Sequence, residues 1–125
     1  ANRNPRVEKM KLLSIEAVEQ CGGNFVPEIS KSSTLKNFIA ELPSDRYLIF
    51  CDELNQGPTI SKVLKNKKLD KVCLLIGPEG GFSPIERQLI LAQKNIFSVS
   101  LGNRILRAET AAVFALAVWH SSFIG

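Results

Sequence analysis

Three short apolar runs constrain the fold of this chain more than any other feature. They are RYLIFC at 46–51, KVCLLIG at 71–77 and IFSVSLG at 96–102. Their β-branched and aromatic residues are typical of strands that are buried on both faces of a parallel sheet. Segments with helical patterns separate them, so we predict an α/β fold with a mainly parallel sheet and helices on both faces. A chain of 125 residues is long enough for one hydrophobic core, and we predict a single domain over residues 1–125.

Helical spacing of apolar residues predicts two helices in the first third of the chain. The first covers about Pro5 to Gln20, where apolar residues recur every three or four positions, and ends at a glycine pair. The segment NFVPEIS at 24–30 predicts a short extended piece. The second helix covers Thr34 to Leu42, behind a Ser/Thr cluster suited to capping and before Pro43.

Two further helices are predicted in the second half. Ser83 can cap a helix in which Pro84 fits the first turn and Glu86 completes a capping box. The run AAVFALAVW, from Ala111 to Trp119, contains no polar residue. Because packing on one sheet face cannot bury such a helix on all sides, we expect its other face to contact a second subunit, which predicts a homodimer.

Composition narrows the functional class. No apolar run reaches the roughly 20 residues of a membrane helix, and no apolar segment follows the polar first residues, so we expect a cytoplasmic protein without a membrane anchor. The three cysteines lie far apart without metal-ligand spacing, which predicts reduced, mostly buried thiols and no metal. The net charge of +4 and the pI of 9.1 are compatible with an RNA partner but do not demonstrate one.

Two glycine-containing segments are candidates for binding a ligand. GPEGGF at 77–82 follows a predicted strand and precedes a capped helix, where α/β sheets bind ligands. It matches neither a Walker A nor a GxGxxG pattern, and a tight turn explains it equally well. SLGNRILRAETAA at 100–112 also passes from a strand through a glycine loop into a helix. Its charged residues Arg107 and Glu109 are either functional or a structural pair that caps the helix, and the structural pair is favoured for this segment alone.

Taken together, LLIGPEGGFS and LGNRILRAETAA resemble the ribosomal RNA small subunit methyltransferase E family of the SPOUT superfamily, and EAVEQCGGNFVPEI at 16–29 also matches that family. The resemblance implies an S-adenosylmethionine-dependent enzyme that methylates N3 of a uridine in small-subunit ribosomal RNA as a homodimer. It also implies a C-terminal trefoil knot, although knots are rare in proteins.

The resemblance also implies site residues. Two loops would enclose the cofactor, and Arg107 would orient the uridine or stabilise its developing anion while Glu109 fixes that arginine. The general base is not identified. The implied cofactor-binding residues are Leu75, Gly77, Glu79 and Gly80 on one side and Leu101, Gly102, Arg104, Ile105 and Leu106 on the other.

Two departures from the family pattern leave an alternative open. Gly23 stands where the family usually has an arginine, which removes an expected RNA or substrate contact. Family members also begin with a PUA-like RNA-binding domain and an initial strand and helix, so this chain corresponds to the C-terminal part of the methyltransferase domain. The alternative is a truncated, inactive remnant that folds and dimerises without turnover.

Other polar features are given structural interpretations. The lysine-rich segment Lys62 to Lys71 is interpreted as a solvated surface because no aromatic residue interleaves with it. His120 is interpreted as a capping or interface residue. Asp52 and Glu53 follow a strand at the edge where ligands bind, but solvent exposure explains them equally well.

Overall fold

Over its described residues, the chain forms a five-stranded sheet with helices on both faces. The computed structural model describes residues 12–20, 24–32, 34–52, 57–65, 67, 69–77, 81–101 and 107–124. In chain order the elements are β1 (Leu12–Glu19), β2 (Phe25–Ser32), α1 (Leu35–Glu41), β3 (Tyr47–Cys51), α2 (Ile60–Leu64), β4 (Lys71–Ile76), α3 (Pro84–Leu91), β5 (Ile96–Val99) and α4 (Ala108–Ile124).

The strand order is β2-β1-β4-β3-β5. The three strands predicted from the apolar runs are parallel neighbours, since β3 pairs with both β4 and β5 in parallel register. By contrast, β1 runs antiparallel to both β2 and β4. The α/β class and the helices on both faces are therefore confirmed, whereas the sheet is mixed rather than mainly parallel.

The helix predicted from Pro5 to Gln20 is wrong over its described part, because Leu12–Glu19 is strand β1. The apolar spacing of this segment fits both periods. Leu12 faces one side of the sheet, while Ile15 and Ala17 face the other, and all three are buried. Backbone pairing with strands on both sides outweighs the helical spacing that the sequence suggests. Residues 5–11 lie outside the described part of the chain.

The remaining predicted elements are confirmed. The NFVPEIS segment forms most of β2, which is an edge strand and so accommodates Pro27. Thr34 caps α1 by accepting a hydrogen bond from the backbone N–H of Asn37 at 3.0 Å. Helix α1 then ends at Glu41, two residues before Pro43. The last predicted helix is longer than expected and extends over Ala108–Ile124.

Alternating side chains of the central strands build one core on each face of the sheet. On the first face, Ile49 of β3 and Leu74 of β4 pack with α2 and with Ala115 and Trp119 of α4. On the second face, Leu48, Phe50 and Leu75 pack with Leu35 and Phe38 of α1, with Phe82 and with Ile90 of α3. The central strands are buried on both sides, as the continuous apolar runs predict.

Candidate functional site

The carboxyl ends of the three parallel strands meet at one edge of the sheet. Cys51 at the end of β3 is paired with Ile76 of β4 and with Val99 of β5. The backbone N–H of Asp52 donates to the Val99 carbonyl oxygen at 2.9 Å, which extends this alignment by one residue. The two loops predicted to bind a ligand therefore leave this edge on either side of β3.

The individual predicted cofactor residues have different surroundings. Leu75 is fully buried in the core of the second face, whereas Leu101 is half-buried and packs on the first face. The side chains of these two leucines consequently do not meet, and it is the backbone at the strand ends that the fold brings together. Six of the predicted residues lie outside the described part of the chain: Glu79, Gly80, Gly102, Arg104, Ile105 and Leu106.

Gly77 has a packing reason to be glycine. A Cβ atom placed there would lie 2.7 Å from a ring carbon of Phe82, so any larger residue would displace that ring. Phe82 is buried, and its ring centroid lies 5.7 Å from that of Phe50. Gly81 has a positive φ of 76°, which also favours glycine. Both described ends of this loop thus have a physical reason to be glycine, and residues 78–80 lie outside the described part of the chain.

The start of α3 is fixed by the predicted capping box. The Glu86 backbone N–H donates to Ser83 Oγ at 3.2 Å, and the Ser83 backbone N–H donates to Glu86 Oε1 at 2.8 Å. Pro84 occupies the first helical position. These bonds satisfy free N–H groups of the helix end and determine where the 77–83 connection must stop.

A buried ion pair joins β3 to α3 beside this loop. Arg87 Nη1 and Nη2 donate to the two carboxylate oxygens of Asp52 at 2.8 and 3.1 Å. The Asp52 side chain is 1% exposed and the Arg87 side chain 14% exposed. The guanidinium carbon of Arg87 also lies 5.6 Å from the Phe50 ring centroid. Of the two interpretations left open for Asp52, solvent exposure is therefore excluded, while Glu53 lies outside the described residues.

The end of β5 is held by the segment that precedes α2. The backbone N–H of Ser100 donates to the Pro58 carbonyl at 2.7 Å, and the N–H of Ile60 donates to the Ser100 carbonyl at 2.9 Å. Gly57 has a positive φ of 98°, and a Cβ atom there would lie 3.3 Å from the Ser98 carbonyl oxygen. The connection after β3 therefore passes close to the backbone of β5.

Arg107 directly precedes α4 and is exposed. Its carbonyl oxygen accepts the hydrogen bond of the Ala111 N–H at 2.8 Å, which begins the helix. Glu109 lies in the first turn of α4, but its side chain is outside the described part of the structure, so the predicted pairing of these two residues stays a prediction.

His120 lies about 20 Å from Arg107 along the helix axis, because 13 residues separate them at roughly 1.5 Å each. Its half-buried ring has its centroid 4.4 Å from that of Phe25. The neighbouring Trp119 donates to the Leu69 carbonyl at 2.7 Å, just before β4 begins. His120 is therefore near the amino ends of the parallel strands, away from Arg107, and its predicted capping or interface role stays a prediction.

Within the described ranges, no group of three or more His, Cys, Asp or Glu side chains is placed to hold a metal ion. In the same part of the chain, no helix is both long and apolar enough to cross a membrane.

Comparison with known families decides the classification. Residues 1–120 match the family described as RNA methyltransferase domain. The chain belongs to this family. As an RNA methyltransferase domain, it carries its two loop motifs on the carboxyl edge of the sheet, where domains of the α/β class bind their ligands.

Individual relatives agree with the resemblance found in the sequence. The methyltransferase domain is 32% identical over 116 residues to "Ribosomal RNA small subunit methyltransferase E" of Rickettsia conorii, covering 92% of this chain and 47% of the relative. Proteins of the same name from Synechocystis and Aquifex aeolicus are 33% and 34% identical over 90% of this chain, and over 37% and 47% of their own lengths. The chain thus spans about half the length of the curated relatives it matches, or less.

Arg87 was not predicted from the sequence as a residue near the site. In the helical pattern of α3 it is an ordinary charged position, and its partner Asp52 lies 35 residues earlier. The parallel pairing of β3 with β4 and the direction of α3 bring the two together, and neither is visible in local sequence. The available signal was Asp52, a charged residue immediately after a predicted buried strand, which indicates that a partner of opposite charge is needed.

The described residues at the strand ends have the kinds of groups that could bind S-adenosylmethionine. Adenine-containing ligands need backbone hydrogen-bonding groups and apolar contacts. The ends of β4 and β5 supply backbone at Gly77 and Leu101, and Leu101 adds a half-buried apolar side chain. Beyond the other end of the 77–83 connection, Phe82 packs on Phe50, and the Arg87–Asp52 pair joins α3 to the end of β3.

Proposed function

We propose that this chain is the cofactor-binding part of an enzyme that methylates N3 of a uridine in small-subunit ribosomal RNA. The family assignment supports methyl transfer to RNA, and the names of the relatives suggest the substrate. The observation that carries the proposal is that β4 and β5 end on either side of β3, at the same end of the sheet. Both family-like motifs continue from those two strand ends.

In this proposal, S-adenosylmethionine binds between residues 77–81 and 101–106 and supplies an activated methyl group. Gly77 and Leu101 offer backbone groups to it, and the proposed partners Gly102, Ile105 and Leu106 complete the second loop. Because the methyl group is already activated, positioning of the two reactants contributes much of the rate.

The chain's own residues then have to place the uridine. Arg107 is exposed where α4 begins, so its guanidinium can reach a nucleotide outside the sheet edge. We propose that it donates hydrogen bonds to the uracil oxygens beside N3 and stabilises the anion that forms as N3 loses its proton. Glu109, two residues further along α4, is proposed to orient Arg107.

Two further features belong to the same proposal. The chain after Ser100 is proposed to thread past the 57–60 segment into a trefoil knot, supported by the hydrogen bonds of Ser100 to Pro58 and Ile60. The protein is proposed to dimerise through α4 in the region Ala111 to Trp119. An exposed stripe at helical spacing, which includes Val113, Phe114 and Ala117, supports the second point.

Calorimetric titration with S-adenosylmethionine tests the cofactor assignment. We expect saturable binding by the chain and its loss in Gly102→Val, since added carbon atoms would block close approach of the ligand to the backbone. Ala40→Val, at an exposed position of α1, is the control and should bind like the parent. Undiminished affinity in Gly102→Val would mean that the pocket is assigned wrongly.

A further inference from the structure

The lysine-rich segment lies beside two aromatic side chains that are distant from it in sequence. Residues 58–71 contain five lysines and one aspartate. Lys67 Nζ lies 5.8 Å from the centroid of the Phe97 ring. That ring is stacked on Tyr47 with 5.7 Å between centroids and 29° between planes. The sequence lacks aromatics within the segment, but the fold supplies them.

The surface formed in this way is accessible. Lys62, Lys65 and Lys67 are exposed, and both Tyr47 and Phe97 are partly exposed. Tyr47 and Phe97 also pack partly against the core of the first face. We call Lys67, Phe97 and Tyr47, which contact one another in that order, the basic aromatic patch; Lys62 and Lys65 belong to the same lysine-rich segment. Lys71 is not counted in it, because its ammonium group is paired with Asp45 at 3.2 Å.

The basic aromatic patch is separate from the candidate cofactor site. Tyr47 begins β3, and Phe97 is the second residue of β5, so both lie toward the amino ends of the strands. The candidate site is at the carboxyl ends of the same strands. Since β5 is an outer strand of the sheet, a long ligand could lie along β5 and reach both the basic aromatic patch and the candidate cofactor site.

We infer that the basic aromatic patch binds a single-stranded stretch of RNA. The inference rests on the proposed function, because an enzyme that acts on one nucleotide needs contacts to the RNA around it. Lysine ammonium groups neutralise phosphates whatever the sequence, and aromatic faces stack with bases of any identity. An acidic protein would pair with the lysines but would gain little from two stacked rings.

Fluorescence anisotropy with a labelled oligouridine of about 12 nucleotides, near the upper end of known single-strand site sizes, tests the patch. At low salt, Lys67→Ala should weaken binding several-fold and lower the slope of log affinity against log salt by about 0.7. Lys36→Ala removes an exposed lysine from α1 on the opposite face of the sheet, and it should leave the affinity unchanged.

Aromatic variants separate base stacking from charge attraction. Phe97→Leu and Tyr47→Leu should each weaken RNA binding about tenfold but leave binding of heparin, a polyanion without bases, unchanged. Unaltered melting temperatures would show that both variants are folded, and if one is not, the other carries the test.

Three results would overturn the inference. They are equal losses in Lys67→Ala and Lys36→Ala, equal effects of the aromatic variants on RNA and heparin, and no RNA binding by the parent chain. The second of these would indicate a general anion or acidic-protein surface. Calorimetry with S-adenosylmethionine keeps the two proposals distinct, because failure to bind the cofactor would refute the proposed function while patch-dependent RNA binding would still stand.

Discussion

Replacing Arg87 by leucine should destabilise the domain substantially. The substitution removes the guanidinium from a carboxylate whose side chain is 1% exposed. Breaking a buried ion pair costs about 3 to 5 kcal/mol, and the 14% exposure of Arg87 places the expected loss near the lower end, at about 3 kcal/mol. Leucine retains helix propensity and packing against Phe50, so the loss reports the charge interaction rather than a helix defect.

Urea unfolding followed by the fluorescence of Trp119, the single tryptophan of the chain, measures this loss. With a slope of roughly 1.5 kcal/mol per molar urea for a domain of this size, the midpoint should fall by about 2 M. Gln88→Leu, at the adjacent exposed position of α3, is the control and should shift the midpoint little.

A double-mutant cycle decides whether the pair itself is responsible. Asp52→Asn with Arg87→Leu should be less destabilised than the sum of the two single variants, with a coupling energy above about 1 kcal/mol. A loss below about 1 kcal/mol in Arg87→Leu, or additive single effects, would contradict the assignment of a buried, energetically coupled pair.

Two further predictions follow from burial and exposure. Burial raises the pKa of Cys51 and of Cys73 to about 12 from an ordinary 9.0, so in a Cys21→Ser background neither thiol should react with a disulfide reagent at about pH 8 until the chain is unfolded. Fast labelling of the folded chain would show that the core is open. Since both thiols have a raised pKa in the folded state, their contribution to the free energy of unfolding is complete below pH 9.0 and is lost as the pH rises toward 12. For the exposed stripe of α4, light scattering at micromolar concentration should give a dimer mass for the parent and a monomer mass for Val113→Asp, whereas a monomeric parent would count against dimerisation through this helix.

The sequence predicted those parts of the fold that short-range patterns determine. The three apolar runs became the parallel strands: β3 and β4 are buried on both faces, as their continuous apolar runs predict, whereas β5 is an outer strand that is only half-buried before Val99. Ser83 and Glu86 fixed the start of α3 because both hydrogen bonds of the capping box are local. The segment at 12–19 was predicted wrongly since its spacing fits two periods, and only pairing with β2 and β4 decides between them.

The same distinction between local and long-range features applies to the candidate site. Its location could be predicted, because strand ends followed by glycine loops indicate the carboxyl edge of an α/β sheet. The packing of Phe82 over Gly77 and the Asp52–Arg87 pair could not, because each depends on the relative placement of a loop or helix and a strand. Local sequence patterns do not predict whether two residues 35 positions apart are in contact.

The lysine-rich segment shows how topology alters a functional interpretation. Its charge and exposure follow from composition, and Lys65 and Lys67 are exposed as expected. Whether a basic surface can also stack bases depends on which side chains stand beside it. Parallel pairing of β3 with β5 places Phe97 next to Ile49, on the face where it stacks with Tyr47 and lies below Lys67. Aromatic residues from two separate strands thereby lie beside a lysine-rich segment that contains no aromatic residue of its own. Because bases can stack on aromatic rings, this arrangement favours RNA over other polyanions as the ligand.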